Sequence, residues 1–109
     1  MDAEELARRL EAIPRVPLFA APTPLEPLPR LSAALGRPIY LKREDAIGPA
    51  LGGNKARPLE YLLADALRRG HRRVVTYGGL QSNHARITAA AARRLGLEPH
   101  LFYFTPRPP

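Results

Sequence analysis

Lysine is rare in this chain, and one of its two lysines follows a pair of glycines. The 109 residues include two lysines and fifteen arginines, and Lys55 closes the GGNK run at residues 52–55. An arginine side chain stays protonated, whereas a lysine amine can lose its proton and attack a carbonyl group. Lys55 is therefore a candidate nucleophile toward a carbonyl cofactor such as pyridoxal phosphate (PLP). The alternative is an ordinary surface lysine that follows a turn.

A second polar run, QSNH, lies at residues 81–84, directly after an apolar segment and two glycines. The glycines let the backbone approach a ligand closely, and a helix that begins at Ser82 or Asn83 offers free N–H groups to an anion. The amide of Asn83 can donate to or accept from a ring hydroxyl, while Ser82 and Gln81 can bond a carboxylate. Ser82 and Asn83 could equally serve only to cap the helix.

The elements expected around these runs are those of a parallel α/β fold. Strands are predicted at 38–42, 73–77 and 100–104, and helices at about 54–69 and 82–95, each helix followed by a glycine. Alternating strands and helices are typical of an open, twisted parallel sheet with flanking helices. Ligands of such sheets bind outside the carboxyl ends of the strands, which is where QSNH falls. The predicted sheet is incomplete, since sheets of this type usually carry about five or six strands.

The N-terminal part is predicted to contain a helix, an extended arm and a second, short helix. Asp2 and an apolar face favour a helix over residues 2–13. Six prolines between residues 14 and 29 exclude a regular helix or a central strand. We interpret this stretch as an extended arm anchored by Leu18 and Phe19, with no evident partner in the chain. The short helix follows at 28–35.

Composition argues against several classes of protein. The chain has no cysteine, which excludes disulfides and thiolate metal sites, and it has no apolar run of about 18 residues to span a membrane. Its acidic N-terminus does not resemble a signal peptide, so a cytoplasmic location is expected. The net charge of +7 would suit nucleic acid, but the arginines come in scattered pairs without interleaved aromatic residues. Neither nucleic acid nor a membrane is therefore an expected partner.

Two adjacent carboxylates, Glu44 and Asp45, follow the first predicted strand. A pair of carboxylates can act as acid and base on one bond, but adjacent residues of an extended segment point to opposite faces. We therefore interpret Glu44 and Asp45 as partners of nearby arginines, or as groups that fix a loop.

Three runs taken together, KRED at 42–45, GGNK at 52–55 and QSNH at 81–84, resemble those of the D-cysteine desulfhydrase and 1-aminocyclopropane-1-carboxylate (ACC) deaminase family. Members are PLP-dependent enzymes with the tryptophan-synthase β-type fold, also called fold type II. The resemblance covers residues 22–104, which correspond to the front part of a family member. It implies an N-terminal fragment that is inactive alone. Residues 1–53 would belong to the larger PLP-binding domain, and residues 54–109 would begin the smaller α/β domain.

The resemblance also implies a role for each matched residue. Lys55 corresponds to the lysine that binds PLP covalently and later moves the α-proton of the substrate. Asn83 corresponds to the asparagine that hydrogen-bonds the ring hydroxyl of PLP. Ser82 corresponds to the serine near the substrate carboxylate, which also has a catalytic role in the deaminase branch. Gln81 and His84 flank the carboxylate site, and His84 favours the desulfhydrase branch.

The activity implied by the resemblance is that of a PLP-dependent lyase that converts D-cysteine to pyruvate, sulfide and ammonia. Ring-opening deamination of ACC is the alternative within the same class. A basic binding module without PLP, or a truncated relic without function, are alternatives from other classes. The resemblance further implies a homodimer for the full-length form. The glycine-rich phosphate cup and the active-site tyrosine of family members would lie downstream of Pro109.

Overall fold

A computed structural model of the chain describes residues 1–20, 22–47 and 52–105. The stretch between the first predicted strand and the GGNK run lies partly outside these ranges, at residues 48–51. The elements in chain order are α1 (Ala3–Glu11), β1 (Leu25–Pro27), α2 (Pro29–Leu35), β2 (Tyr40–Lys42), a 3-10 turn (Glu44–Ala46), α3 (Ala56–Arg68), β3 (Arg73–Gly79), α4 (Asn83–Arg94) and β4 (Glu98–Phe104).

The second half of the chain forms a parallel β–α–β unit. β3 and β4 pair in parallel, in a register that runs from Arg73 opposite Glu98 to Gly79 opposite Phe104. The connecting helix α4 packs against both strands and against α3. This arrangement confirms the α/β prediction for this part of the chain.

The predicted three-stranded parallel sheet is wrong in its first strand. β2 pairs antiparallel with β1, and within the described ranges this pair and the β3–β4 pair form two separate sheets. β1 lies inside the proline-rich arm and includes Pro27, so its sequence does not predict a strand. Proline lacks an N–H group and is tolerated here because each strand of a two-stranded sheet is an edge strand. The proposed division of the chain after residue 53 remains a prediction.

The helix ends follow local signals, as predicted. The Oδ1 atom of Asp2 accepts a hydrogen bond from the backbone N–H of Glu5 at 2.8 Å and caps α1. Gly36 ends α2 with a φ of 63°, in the left-handed region that glycine favours. α3 begins at Ala56, two residues after the predicted start at about residue 54, and Lys55 is its N-cap residue.

The arm does have a partner within the chain, contrary to the sequence-based interpretation. Residues 16–19, here called the strap, lie across α3 and α4. Leu18 is fully buried, its N–H donates to Oε1 of Glu60 on α3, and its carbonyl oxygen accepts from Nη1 of Arg94 on α4, both at 2.8 Å. Phe19 is partly buried, and the Arg57 guanidinium lies 5.1 Å from its ring centroid. Leu18 and Phe19 are thus anchors, as predicted.

The strap completes the hydrophobic core between the two helices. The core consists of apolar residues of the strap, α3 and α4 with two flanking residues: Leu18, Ile47, Ala56, Leu59, Leu63, Ile87, Ala91, Ala92 and Leu97. Because α3 and α4 each begin at one of the two polar runs, this core fixes the relative position of the GGNK and QSNH runs.

We expect Glu60→Ala to lower the free energy of unfolding by about 1–3 kcal/mol, because the buried N–H of Leu18 loses its acceptor. Glu60 is only 3% exposed, so water cannot readily replace the carboxylate. Glu60→Gln keeps an oxygen acceptor at the same place and should cost less than Glu60→Ala. Urea denaturation of both variants measures the difference, and equal losses would contradict the assigned hydrogen bond.

Candidate active site

The QSNH run forms the start of α4, where Ser82 is the N-cap residue. Its Oγ accepts a hydrogen bond from the N–H of Ala85 at 3.2 Å, and its own N–H donates to the carbonyl of Gly79 at 2.9 Å. A Cβ atom at Gly78 would lie 2.5 Å from this Oγ, so only glycine fits beside the cap. Gly78 and Gly79 are the last residues of β3, which extends two residues past the predicted strand at 73–77. Ser82 therefore has a structural role whether or not it also binds a ligand.

A cleft of about 470 Å³ opens beyond the carboxyl end of β3. The residues that line it come from the turn after β3, the start of α4 and the end of β4: Leu80, Gln81, Ser82, Asn83, Arg86 and Tyr103. Three of the four predicted residues of the QSNH run thus share one cleft. Sequence reasoning missed Arg86 and Tyr103. Arg86 could have been found from its position three residues after Asn83, which is nearly one helical turn.

The GGNK run meets α4 at Asn83. A Cβ atom at Gly53 would lie 2.3 Å from Nδ2 of Asn83 and 3.3 Å from Cδ1 of Ile87, and the φ of Gly53 is 122°. The Gly53 backbone therefore lies directly against the Asn83 amide, two residues before Lys55. This close approach needs glycine on both steric and conformational grounds.

The KRED run contacts the two glycines of the GGNK run. The N–H of Gly53 donates to the carbonyl of Glu44 at 3.1 Å. At Gly52, whose φ is 67°, a Cβ atom would lie 2.3 Å from the carbonyl oxygen of Asp45. The three runs that carry the family resemblance are thus adjacent in space, although they span residues 42–84 in sequence.

The two lysines have different surroundings. The Nζ ammonium group of Lys42 donates a hydrogen bond to the carbonyl oxygen of Thr23, which lies in the proline-rich arm. Lys55 is exposed at the start of α3, and it is not among the residues that line the cleft beside Asn83. The structure therefore puts the turn that precedes Lys55 against Asn83 but does not put the Lys55 amine in the cleft.

His84 lies apart from the other three residues of its run. It lines a separate groove of about 260 Å³ with apolar residues of α3 and with Thr76 and Thr88. Its Nδ1 atom is buried and has no hydrogen-bond partner among the described residues. Successive residues of a helix point to different faces, which separates His84 from Asn83. The substrate-binding role suggested for His84 remains a prediction, and this geometry does not bring His84 to the cleft.

Glu44 and Asp45 pair with arginines, as predicted. Glu44 accepts two hydrogen bonds from Arg57, at 2.6 and 2.7 Å, and one from the hydroxyl of Thr23 at 2.9 Å. The Arg57 guanidinium, helped by Thr23, lowers the pKa of Glu44 from 4.5 to about 2. The hydrogen bonds from Arg43 likewise lower the pKa of Asp45. These carboxylates bind arginines and do not converge on one bond.

The Glu44 pair should make the stability of the fold depend on acid. Since the folded protein binds the Glu44 proton less tightly than the unfolded chain, the stabilisation is complete above about pH 4.5 and is lost as the pH falls through about 2. We expect Glu44→Gln to melt below the wild type at neutral pH and to match it near pH 2. Thermal melts across this range measure the effect. The exposed Glu11→Gln should follow the wild type throughout, and a Glu44→Gln difference that persists unchanged at the acid end would contradict the pairing.

Fold and site together define a class of protein. The chain is an α/β protein whose polar residues gather beyond the carboxyl end of a parallel strand, beside a glycine turn that precedes a lysine. Residues 16–109 match the family described as "Pyridoxal-phosphate dependent enzyme", and the chain belongs to that family. The resemblance drawn from the three runs is confirmed, and PLP is the cofactor that the family uses.

Two kinds of relatives make the match more specific. D-cysteine desulfhydrases of Salmonella paratyphi B (strain ATCC BAA-1250 / SPB7) and Salmonella newport (strain SL254) are each 59% identical over 88 residues, which is 81% of this chain and 27% of theirs. A solved crystal structure of an ACC deaminase homologue is 46% identical, with a TM-score of 0.83, over 93% of this chain and 31% of that chain. The chain thus spans about a quarter of the length of the curated relatives it matches.

The described residues fit part of a PLP site. The Asn83 amide is held against the Gly53 backbone by a contact that leaves no room for a Cβ atom, and it offers a donor for a ring oxygen. Lys55, two residues after Gly53, carries a primary amine at the start of α3. Both groups suit the chemistry that PLP requires of a protein.

Two features are absent from residues 1–20, 22–47 and 52–105. No helix in these ranges has the length and apolar character needed to cross a membrane. The same residues contain no cluster of three or more metal-ligating side chains.

Proposed function

We propose that the protein encoded by the complete reading frame is a PLP-dependent lyase that acts on D-cysteine. The observation that carries the proposal is the contact between Gly53 and Asn83. This contact places the residues just before Lys55 against the start of α4, where Ser82 is the N-cap residue. The desulfhydrase name of the Salmonella relatives supports the choice of substrate.

When bound, PLP supplies an aldehyde that joins amines and a ring that spreads the charge of a carbanion. In our proposal Lys55 provides the amine that holds the cofactor, and then takes the α-proton of the substrate. Asn83 donates from Nδ2 to the ring oxygen and orients the cofactor. Ser82 and Gln81 bind the substrate carboxylate with a hydroxyl, an amide and the free N–H groups of the α4 start.

The overall reaction is balanced with one water molecule. Removal of the α-proton lets the thiolate leave from the β-carbon, and the remaining enamine tautomerises to an imine whose hydrolysis releases ammonia. D-cysteine and water thus give pyruvate, hydrogen sulfide and ammonia. No oxidant or metal ion is needed.

Ring-opening deamination of ACC is the second candidate, and the similarity to the ACC deaminase homologue favours it. In that reaction Ser82 would have a catalytic role as well. His84 is a weak argument for the desulfhydrase, because it lines a groove that Gln81, Ser82 and Asn83 do not share.

The domain arrangement belongs to the same proposal. Residues 1–53 would contribute to the larger PLP-binding domain, and residues 54–109 would begin the smaller one. We also propose a homodimer and a cytoplasmic location for the whole protein. The family resemblance supports the homodimer.

The test is a substrate comparison with the protein of the complete reading frame. D-cysteine, L-cysteine and ACC are each incubated with the PLP-loaded protein, and pyruvate, 2-oxobutanoate and sulfide are measured. Pyruvate and sulfide in equal amounts from D-cysteine alone would support the desulfhydrase, whereas 2-oxobutanoate from ACC would favour the second candidate. Turnover of none of the three compounds, together with salt-sensitive binding to arbitrary DNA, would instead favour the basic binding module.

A further inference from the structure

Arg86 lies in the cleft without a role in the proposed chemistry. It is exposed on α4, one turn beyond Asn83, and its Nη2 donates a hydrogen bond to Oδ1 of Asn83. A guanidinium group has only donors, so it can pair with the oxygen of an amide but not with the nitrogen. The contact therefore selects one of the two orientations of the Asn83 amide.

The selected orientation directs the amide donor toward the GGNK run. With Oδ1 bound to Arg86, the opposite atom, Nδ2, faces Gly53, where a Cβ atom would lie only 2.3 Å away. The flipped amide would put Oδ1 beside Gly53 and would set Nδ2 against the Arg86 guanidinium, with donors facing donors. Such an unpaired arrangement of donors is unfavourable.

We infer that Arg86 is a positioning residue that holds the Asn83 amide with its N–H group toward the cofactor ring oxygen. This inference rests on the proposed function, in which Asn83 donates to that oxygen. Arg86 also polarises the amide, since a cation bound to Oδ1 makes the Nδ2 protons better donors. Arg86 itself need not contact the cofactor or the substrate.

The inference predicts a specific spectroscopic change. A donor to the ring oxygen of PLP favours the ionised oxygen, and the visible absorption of bound PLP depends on that ionisation. Arg86→Leu should therefore shift the pH midpoint of the visible absorption change and weaken PLP binding about threefold to tenfold, the effect of losing one ordinary hydrogen bond. Arg86→Lys keeps a cationic donor and should restore part of both effects.

A double-mutant cycle separates an action through Asn83 from any other action. The protein of the complete reading frame is prepared as wild type, Arg86→Leu, Asn83→Ala and the double variant. PLP affinity and the pH midpoint of absorption are measured for each. If Arg86 acts through Asn83, Arg86→Leu has no further effect once Asn83 is alanine. An equal effect of Arg86→Leu in both backgrounds would overturn the inference, as would the absence of any effect in the wild-type background.

The experiment also distinguishes failure of this inference from failure of the proposed function. Borohydride reduction of the PLP-loaded wild type, followed by peptide mapping, reports whether Lys55 carries PLP. Labelled Lys55 with an unresponsive Arg86→Leu variant would overturn only the role of Arg86. Unlabelled Lys55 would overturn the proposed function and this inference with it. Arg86 is exposed, so thermal melts of its variants should stay near the wild type and confirm that folding is unchanged.

Discussion

Lys55→Arg is expected to reduce turnover of the amino-acid substrate by about 10²–10⁴-fold, the usual contribution of a positioned acid–base group. Arginine keeps the positive charge but can neither join the cofactor aldehyde nor take the α-proton. The loss should appear in kcat, because the groups proposed to bind the substrate carboxylate, Ser82 and Gln81, are unchanged. The side chain of Lys55 is exposed at the start of α3, so the fold should survive the change.

The chain offers a matched control in its other lysine. Lys42 donates to the carbonyl of Thr23 and is not assigned to the chemistry. Lys42→Arg retains a cationic donor at this place and should leave turnover near the wild-type value. Steady-state kinetics of both variants, with circular dichroism to verify folding, measure the contrast. Similar losses in the two variants would contradict a special role for Lys55.

Gly53→Ala is expected to have the second large effect, this time on both stability and cofactor binding. The new Cβ atom would overlap Nδ2 of Asn83, and the backbone φ of 122° is one that L-residues rarely adopt. Backbone strain and overpacking each cost about 1–3 kcal/mol, so a combined loss of about 3 kcal/mol or more is expected. The displaced Asn83 should also weaken PLP binding.

Gly36→Ala separates the two sources of this loss. Gly36 has a φ of 63° at the end of α2, but a Cβ atom there would meet nothing within 4 Å. It should cost only the conformational penalty of about 1–2 kcal/mol and leave PLP binding unchanged. Urea denaturation and PLP titration of both variants provide the comparison. A Gly53→Ala variant as stable as Gly36→Ala would contradict the close contact with Asn83.

The sequence predicts the features that depend on neighbouring residues. Asp2, Gly36 and Ser82 mark helix ends through caps and turns of a few residues, and these ends are found where the sequence places them. The parallel pairing of β3 with β4 follows from the order of strand and helix alone.

Features that depend on distant pairing could not be predicted in this way. The N–H of Leu18 binds a carboxylate 42 residues away on Glu60, and its carbonyl binds Arg94, 76 residues away. Neither pairing leaves a periodic pattern in the sequence. The pairing of β1 with β2 could not be predicted either, because the prolines around residue 25 argue against a strand there.

The candidate site likewise combines features set by neighbouring residues with features set by distant pairing. The QSNH run predicts the start of α4 and the polar lining of the cleft, because these residues are consecutive. His84 lies in another groove because of how α4 packs against α3, which the run itself does not specify. Tyr103 lies at the cleft because β4 pairs with β3. Sequence runs therefore locate this site but do not enumerate its residues.

The most direct test of the central claim is reductive trapping of PLP on this chain and on the protein of the complete reading frame. Each is incubated with PLP, reduced with borohydride and mapped by mass spectrometry. We expect a stoichiometric label on Lys55 in the protein of the complete reading frame, with Lys42 unlabelled. A label on Lys42 instead, or no label on either lysine of that protein, would contradict the assignment of Lys55 as the residue that holds the cofactor.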